Sequence, residues 1–147
     1  IDVACLGFVQ TNQQGDVNVS AFGGRIAGVG GFVNISQNAK KVVFCGTFTA
    51  QGLGVNVGEG KLRILREGKT KKFVHTIQQV SFSSAYAQKR GQPVFFVTER
   101  AVFRLIDGSL HLVELAPGID LERDIVSQME FKPVVTNVRP MDVRLFM

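Results

Sequence analysis

Gly28-Val-Gly-Gly-Phe-Val-Asn-Ile-Ser-Gln-Asn-Ala-Lys-Lys-Val-Val-Phe-Cys-Gly-Thr-Phe-Thr-Ala50 is the stretch on which the reading of this chain turns. Four glycines (Gly24, Gly28, Gly30, Gly31) fall within eight positions and lead through a short polar-apolar segment to a dense apolar run, Val42 to Phe48. Glycine turn, helix, buried strand is the order in which an α/β domain presents backbone N–H groups to a ligand. Glycine serves where φ must be positive or where something approaches the backbone closely. On spacing alone, a tight turn with close packing accounts for the cluster equally well. The helix is expected over Gly31 to Asn38, with Phe32, Val33 and Ile35 as its apolar face and Asn34, Gln37 and Asn38 turned to a site or to solvent. Lys40 and Lys41 then fall near its C-terminus, where cations suit the dipole.

Outward from that segment, the chain reads as strands separated by turns. Ile1 to Val9 is an almost continuous apolar run, expected to be a strand covered on both faces. Natural domains rarely begin inside a strand, so the chain is expected to be the later part of a longer polypeptide. Asn12–Gly15 is a turn, and Val17 and Val19 alternate with polar neighbours as the second arm of a hairpin-like pair. Val42 to Phe48 is the strongest strand. Gln51–Gly54 is turn-rich, and Lys61–Leu65 and Lys72–Ile77 read as two strands joined through Glu67-Gly68. Ser84 as N-cap and Gly91 as C′ residue bound a short helix, Ala85 to Arg90. Val94–Thr98 is a buried strand, and Val102–Leu115 a hairpin about Asp107-Gly108. Asp120 caps a last helix whose Leu121, Ile125 and Met129 share one face. The fold class expected is α/β: a strand-rich, mixed-sheet part of a three-layer α/β/α domain.

Composition bounds the function. The chain has 147 residues, 45% hydrophobic and 20% charged, enough for a core and unlike a disordered tail. No apolar run approaches the length of a membrane span, and no secretory signal pattern opens the chain. Cys5 and Cys45 lie in apolar runs and are expected to be buried reduced thiols of a cytosolic protein. A net charge of +5 and a pI near 9.6 raise nucleic acid or a phosphorylated small molecule as a partner. The basic residues are nevertheless scattered apart from Lys69, Lys71 and Lys72, with no interleaved aromatics, and a solvated face explains them better.

Most catalytic motifs fail on their own terms. Gly28-x-Gly30 lacks the third small residue of a dinucleotide fingerprint, because Val33 stands there, and the expected acid downstream is missing. Gly68-Lys69-Thr70 ends like a phosphate loop, but Arg63 holds the first glycine's place inside a strand pattern, and a hairpin turn explains the tripeptide better. His75 and His111 have no ligand at metal spacing, so no metal site is expected. Glu99-Arg100 follows a buried strand, and its carboxylate either enters a site or forms a solvated turn or ion pair, the second reading being preferred.

The Gly28–Ala50 run resembles the signature segment in the C-terminal half of family I coenzyme A transferases, nearest to the bacterial single-chain acetate and propionate type. Gly15-Asp-Val-Asn-Val-Ser20, Val97-Thr-Glu-Arg-Ala-Val-Phe103 and Ala116-Pro-Gly-Ile-Asp-Leu-Glu-Arg-Asp124 resemble it too. The resemblance implies that residues 1–147 are the C-terminal part of that enzyme's C-terminal domain. The partners it implies are an acyl-CoA, a short-chain carboxylate and the N-terminal half of the same enzyme, in a cytoplasmic homo-oligomer, with neither nucleic acid nor membrane. Coenzyme A is then a substrate, and no permanently bound cofactor is expected. A glutamate attacks the acyl-CoA in that family; no match to its motif occurs here, so it is expected upstream, and the chain alone is expected to be inactive. Gly30 and Gly31 match the backbone oxyanion position, and Gly28, Gly30, Gly31 and Asn34 are the expected coenzyme A contacts. The rival readings are a coenzyme A- or nucleotide-binding module without chemistry and a nucleic-acid-binding domain.

Overall fold

The computed structural model describes residues 2–19 and 35–147. Its centre is a six-stranded mixed sheet. Strands β1 (Val3–Gly7), β4 (Lys41–Cys45) and β9 (Val94–Val97) lie side by side and parallel. Strand β10 (Ala101–Ile106) runs antiparallel to β9 and to β11 (Ser109–Leu115), and β12 (Val134–Pro140) closes the sheet parallel to β11. The strand-rich α/β sheet expected from the sequence is the one observed.

Alternation along the strands divides the core in two. On one face Val42, Phe44, Val94, Phe96, Ala101, Phe103, Leu110 and Leu112 are fully buried, and Phe48, Phe73 and Phe82 pack against them. The rings stack: Phe44 on Phe96 at 5.1 Å between centroids, and Phe48 on Phe73 at 4.8 Å. Such pairs add about 0.5–1.5 kcal/mol each beyond their burial. The other face holds a smaller cluster of Leu62, Val102, Ala116, Met141 and Phe146.

The edge strand β1 departs from expectation. Ala4 is buried, but Val3 is 50% exposed and Cys5 and Cys45 are exposed free thiols rather than buried ones. A continuous apolar run does not reveal which face is covered. Here Val3 and Cys5 point to the side opposite Ala4, and no described segment packs there.

Three small two-stranded ladders surround the sheet. Strands β2 (Gln10–Thr11) and β3 (Val17–Asn18) pair across the Asn12–Gly15 turn, as expected. The next pairing differs from the one expected. Strand β7 (Lys61–Arg66) pairs with β6 (Gly54–Gly58) across Glu59-Gly60, both at positive φ, and not with Lys72–Ile77. Strand β6 carries glycine at both ends and little burial, so it lacked a strand signal. The Glu67-Gly68 link is no hairpin turn: the strand after it, β8 (Thr70–Lys71), pairs with β5 (Thr49–Ala50).

Helix α1 (Ser84–Lys89) is capped by Ser83, one residue before the expected cap. Ser84 is committed elsewhere: its N–H and its hydroxyl both donate to Asp16 Oδ1, each at 2.8 Å. Gly91 takes the expected positive φ, +66°. Asp107 and Gly108, at +49° and +80°, form the expected tight hairpin turn. A Cβ on Gly108 would meet only the Gln88 side chain, at 3.6 Å, so the cost of Gly108→Val is conformational. It should destabilise by about 1–2 kcal/mol, read as a lower urea midpoint; an unchanged midpoint would remove the turn argument.

The last expected helix is a π-helical turn, Leu121–Ile125, followed by a 3-10 turn, Val126–Gln128. Asp120 caps it as expected, accepting from Arg123 N at 2.7 Å, and Ile125 and Met129 are buried. Where an unbroken α-helix would bond the carbonyl of Asp124 to the N–H four residues on, that carbonyl accepts from Arg100 Nη1 at 3.0 Å.

Candidate functional site

Ligands of open α/β sheets gather beyond the carboxyl ends of the parallel strands. Here those ends are Gly7-Phe8 after β1, Gly46 after β4 and Thr98-Glu99-Arg100 after β9. Gly46 N donates to Val97 O at 3.1 Å, so the residue after β4 is still bonded to β9. From there the chain crosses through Phe48 and Thr49 under the control of two charged side chains. Phe48 N donates to Glu99 Oε1 at 2.7 Å. Arg100 is fully buried, with its guanidinium 4.8 Å from the Phe48 ring centroid.

Every side of that guanidinium is occupied. Nε donates to Glu99 Oε2, and Nη1 and Nη2 donate to the two oxygens of Glu67 at 2.7 and 2.8 Å. The fork on Glu67 is bidentate, the strongest geometry an arginine offers a carboxylate. Thr49 Oγ1 donates to Glu67 as well and accepts from Gly68 N at 3.0 Å. A Cβ on Gly68 would stand 2.5 Å from Ala50 O, so only glycine allows this approach. Burial alone would raise the Glu67 carboxyl; the bonds from Arg100 and Thr49 outweigh it and hold the group below its ordinary value. Glu99 therefore takes the ion-pair reading preferred from the sequence.

Lys72 lies at the same edge. It is 6% exposed, with Nζ 4.1 Å from the Phe8 ring centroid and beside Gly46, where a Cβ would approach it to 2.8 Å. Burial pushes the amine down to about 8, against the pull of Glu99.

The residues singled out as oxyanion and coenzyme A contacts (Gly28, Gly30, Gly31 and Asn34) lie outside the described residues, as do Phe32 and Val33. Residues 35–38 are helical, and β4 follows, in the order the glycine segment predicted. Within that turn Ile35 is exposed and Ser36 and Ala39 are buried, so Ile35 does not belong to the apolar face. Gln92 Nε2 caps the end of the turn, donating to Ser36 O and Ala39 O at 2.8 and 2.7 Å, while Lys40 pairs with Asp2 at 3.1 Å. Among the described residues no three His, Cys, Asp or Glu side chains are grouped to hold a metal. Sequence reasoning placed Glu67 in a turn and Lys72 at a strand start, and missed both as site neighbours. Its one usable signal was a charged pair, Glu99-Arg100, directly after a buried strand.

No protein-family model matches the chain. By sequence it is 46% identical over 147 residues to acetate CoA-transferase YdiF of Escherichia coli O157:H7, covering 99% of this chain and 28% of that enzyme. It is 47% identical over 152 residues to a caffeate CoA-transferase of Acetobacterium woodii, covering 99% of this chain and 29% of that one. The chain thus spans less than a third of the length of these relatives. The crystal structure of the YdiF apoenzyme superposes on all of the chain and 29% of its own with a TM-score of 0.97, and the thioester complex of YdiF with coenzyme A gives the same score. The resemblance to coenzyme A transferases holds along the whole chain, in sequence and in fold.

Proposed function

We propose that this chain is a segment of a coenzyme A transferase, from the C-terminal part of the C-terminal domain, which moves coenzyme A between a short-chain acyl-CoA and a carboxylic acid. The observation that carries the reading is identity of 46–47% along 99% of the chain to enzymes named for that activity. The reaction is covalent and runs in two halves. A glutamate in the preceding part of the protein attacks the thioester carbonyl, and coenzyme A leaves as the thiolate. That thiolate attacks the acyl-glutamyl anhydride at the glutamyl carbonyl, releasing the first acid and leaving a glutamyl-CoA thioester. The second acid attacks the thioester and the sequence runs backwards. Each step passes through an oxyanion, which a backbone N–H of Gly30 or Gly31 holds, while Gly28 and Asn34 contact coenzyme A.

Among the described residues the Arg100 cluster supports this chemistry indirectly. It fixes the crossing from Gly46 to Thr49 at the strand ends and engages both Glu67 and Glu99 in ion pairs with Arg100. The enzyme works in the cytoplasm as a homo-oligomer; no described helix is long and apolar enough to cross a membrane.

The two relatives bear different acyl names, acetate and caffeate, so the test uses both acids. The whole protein is given acetyl-CoA with propionate or with caffeate, and the acyl-CoA products are measured. Turnover with propionate, and loss of activity when borohydride reduces a glutamyl thioester formed from acyl-CoA alone, are expected. No transfer to either acid, or transfer untouched by borohydride, would overturn the reading.

A further inference from the structure

Lys72 is buried to 6% exposure, and its Nζ has neither hydrogen bond nor ion pair among the described residues. An ammonium taken out of water with only the face of the Phe8 ring against it is costly, and every neighbouring acid is committed. Glu99 gives one oxygen to Phe48 N and the other to Arg100, and Glu67 is held by Arg100 and Thr49. Lys72 instead lines a cavity of about 250 Å³ with Phe8, Val9, Ala50, Gln51 and Thr70. Of its polar side chains, Thr70 donates through Oγ1 to Gln51 Oε1 at 2.7 Å, which leaves the Gln51 amide N–H groups beside the amine. The wall is otherwise apolar and carries a single cation, and the bare backbone of Gly46 leaves room for the amine.

We propose that Lys72 and this cavity form a binding site for a short aliphatic monocarboxylate, whose carboxylate pairs with Nζ while its chain lies on Phe8, Val9 and Ala50. One ammonium, with only the neutral Gln51 amide beside it, suits a singly charged carboxylate; a phosphate calls for several charged donors. The volume lies below that of sites for drug-sized ligands and suits an acid of roughly two to four carbons. That this acid is the acceptor of coenzyme A rests on the function proposed above; the binding itself does not.

The site has a pH signature. Burial lowers the Lys72 amine to about 8 and Glu99, after β9, raises it. Phe8 after β1, Gly46 after β4 and Ala50 of β5 bring no charge to it. An anion binds the protonated amine, so affinity is full below that value and is lost as the pH rises through it.

The experiment measures binding of ¹³C-carboxyl propionate to the whole protein, without coenzyme A, from about pH 6.5 to 9.5. Binding should weaken about tenfold for each pH unit above the lysine's value, and Lys72→Met should weaken it at least tenfold at neutral pH while the circular dichroism stays unchanged. Gly46→Ala, which crowds Nζ, should weaken it less. In turnover, Lys72→Met should raise the KM for propionate and leave that for acetyl-CoA within about twofold. Folded Lys72→Met that binds propionate like the wild type would overturn the proposal. Should that variant not fold, the wild type decides: affinity that is flat across the range overturns it as well. Lys72-dependent binding without any CoA transfer would leave this site standing and sink the transferase reading; transfer with Lys72-independent binding would do the reverse.

Discussion

Replacing Arg100 by methionine should cost about 3–5 kcal/mol of stability, the largest loss expected from a single substitution in this chain. The guanidinium is fully buried and binds Glu67 through two hydrogen bonds, Glu99 through one and the Asp124 carbonyl through another. Methionine fills the space and keeps the contact with Phe48, yet strands two carboxylates and a carbonyl in a site built to neutralise them. The penalty is mainly that of the abandoned acids, so Arg100→Met with Glu67→Gln should recover part of it. Urea denaturation of the three proteins measures the effect. A loss below about 1 kcal/mol for the single variant would mean that water solvates the carboxylates and that the cluster holds little.

The same cluster sets a response to acid. The Glu67 carboxyl is held below its ordinary value by Arg100 and Thr49 against the opposing effect of burial. Its contribution is therefore complete above the ordinary glutamate range, near 4.3, and disappears as the pH falls through its lower folded value.

What the sequence disclosed follows from how local each signal is. Val42, Phe44, Val94 and Phe96 announce their strands because β-branched and aromatic residues form unbroken runs there, and Asp107-Gly108 announces its turn through the φ that glycine allows. Phe73 and Val74 mislead for a physical reason. They are buried like strand residues, but their backbone bonds singly to Thr11 and Glu130 rather than to a continuous ladder. An apolar run reports burial; it does not report which partner takes the N–H groups. The Arg100–Glu67 fork joins residues far apart in the chain, and nothing in the spacing of either points to the other. Lys72 is hidden in the same way, since a lysine between Lys71 and Phe73 reads as a solvated strand start until the fold places Phe8 and Gly46 against it. The glycines of the segment read as a site lie outside the described residues, and from residue 35 onward the helical turn and β4 follow in the predicted order.

That segment carries the second large effect, and it falls on rate. If a backbone N–H at Gly30 or Gly31 holds the oxyanion, Gly31→Val in the whole protein should lower kcat by about 10²–10³-fold, the loss typical of removing one such donor. A β-branched side chain beside the amide blocks the approach of the reacting carbonyl, while the binding of coenzyme A through its remote parts persists. The KM for acyl-CoA should therefore change far less than kcat, because the donor acts on charge that develops only in the transition state. Gly108→Val is the matched control: it puts the same side chain at a glycine that the hairpin turn requires, and should lower the urea midpoint while kcat per folded enzyme stays near the wild-type value. The two variants separate a glycine kept for chemistry from one kept for conformation. A Gly31→Val enzyme with a wild-type midpoint and wild-type turnover would remove this segment from the oxyanion site. One that lost midpoint and turnover together would place Gly31 with Gly108, as a residue of the fold.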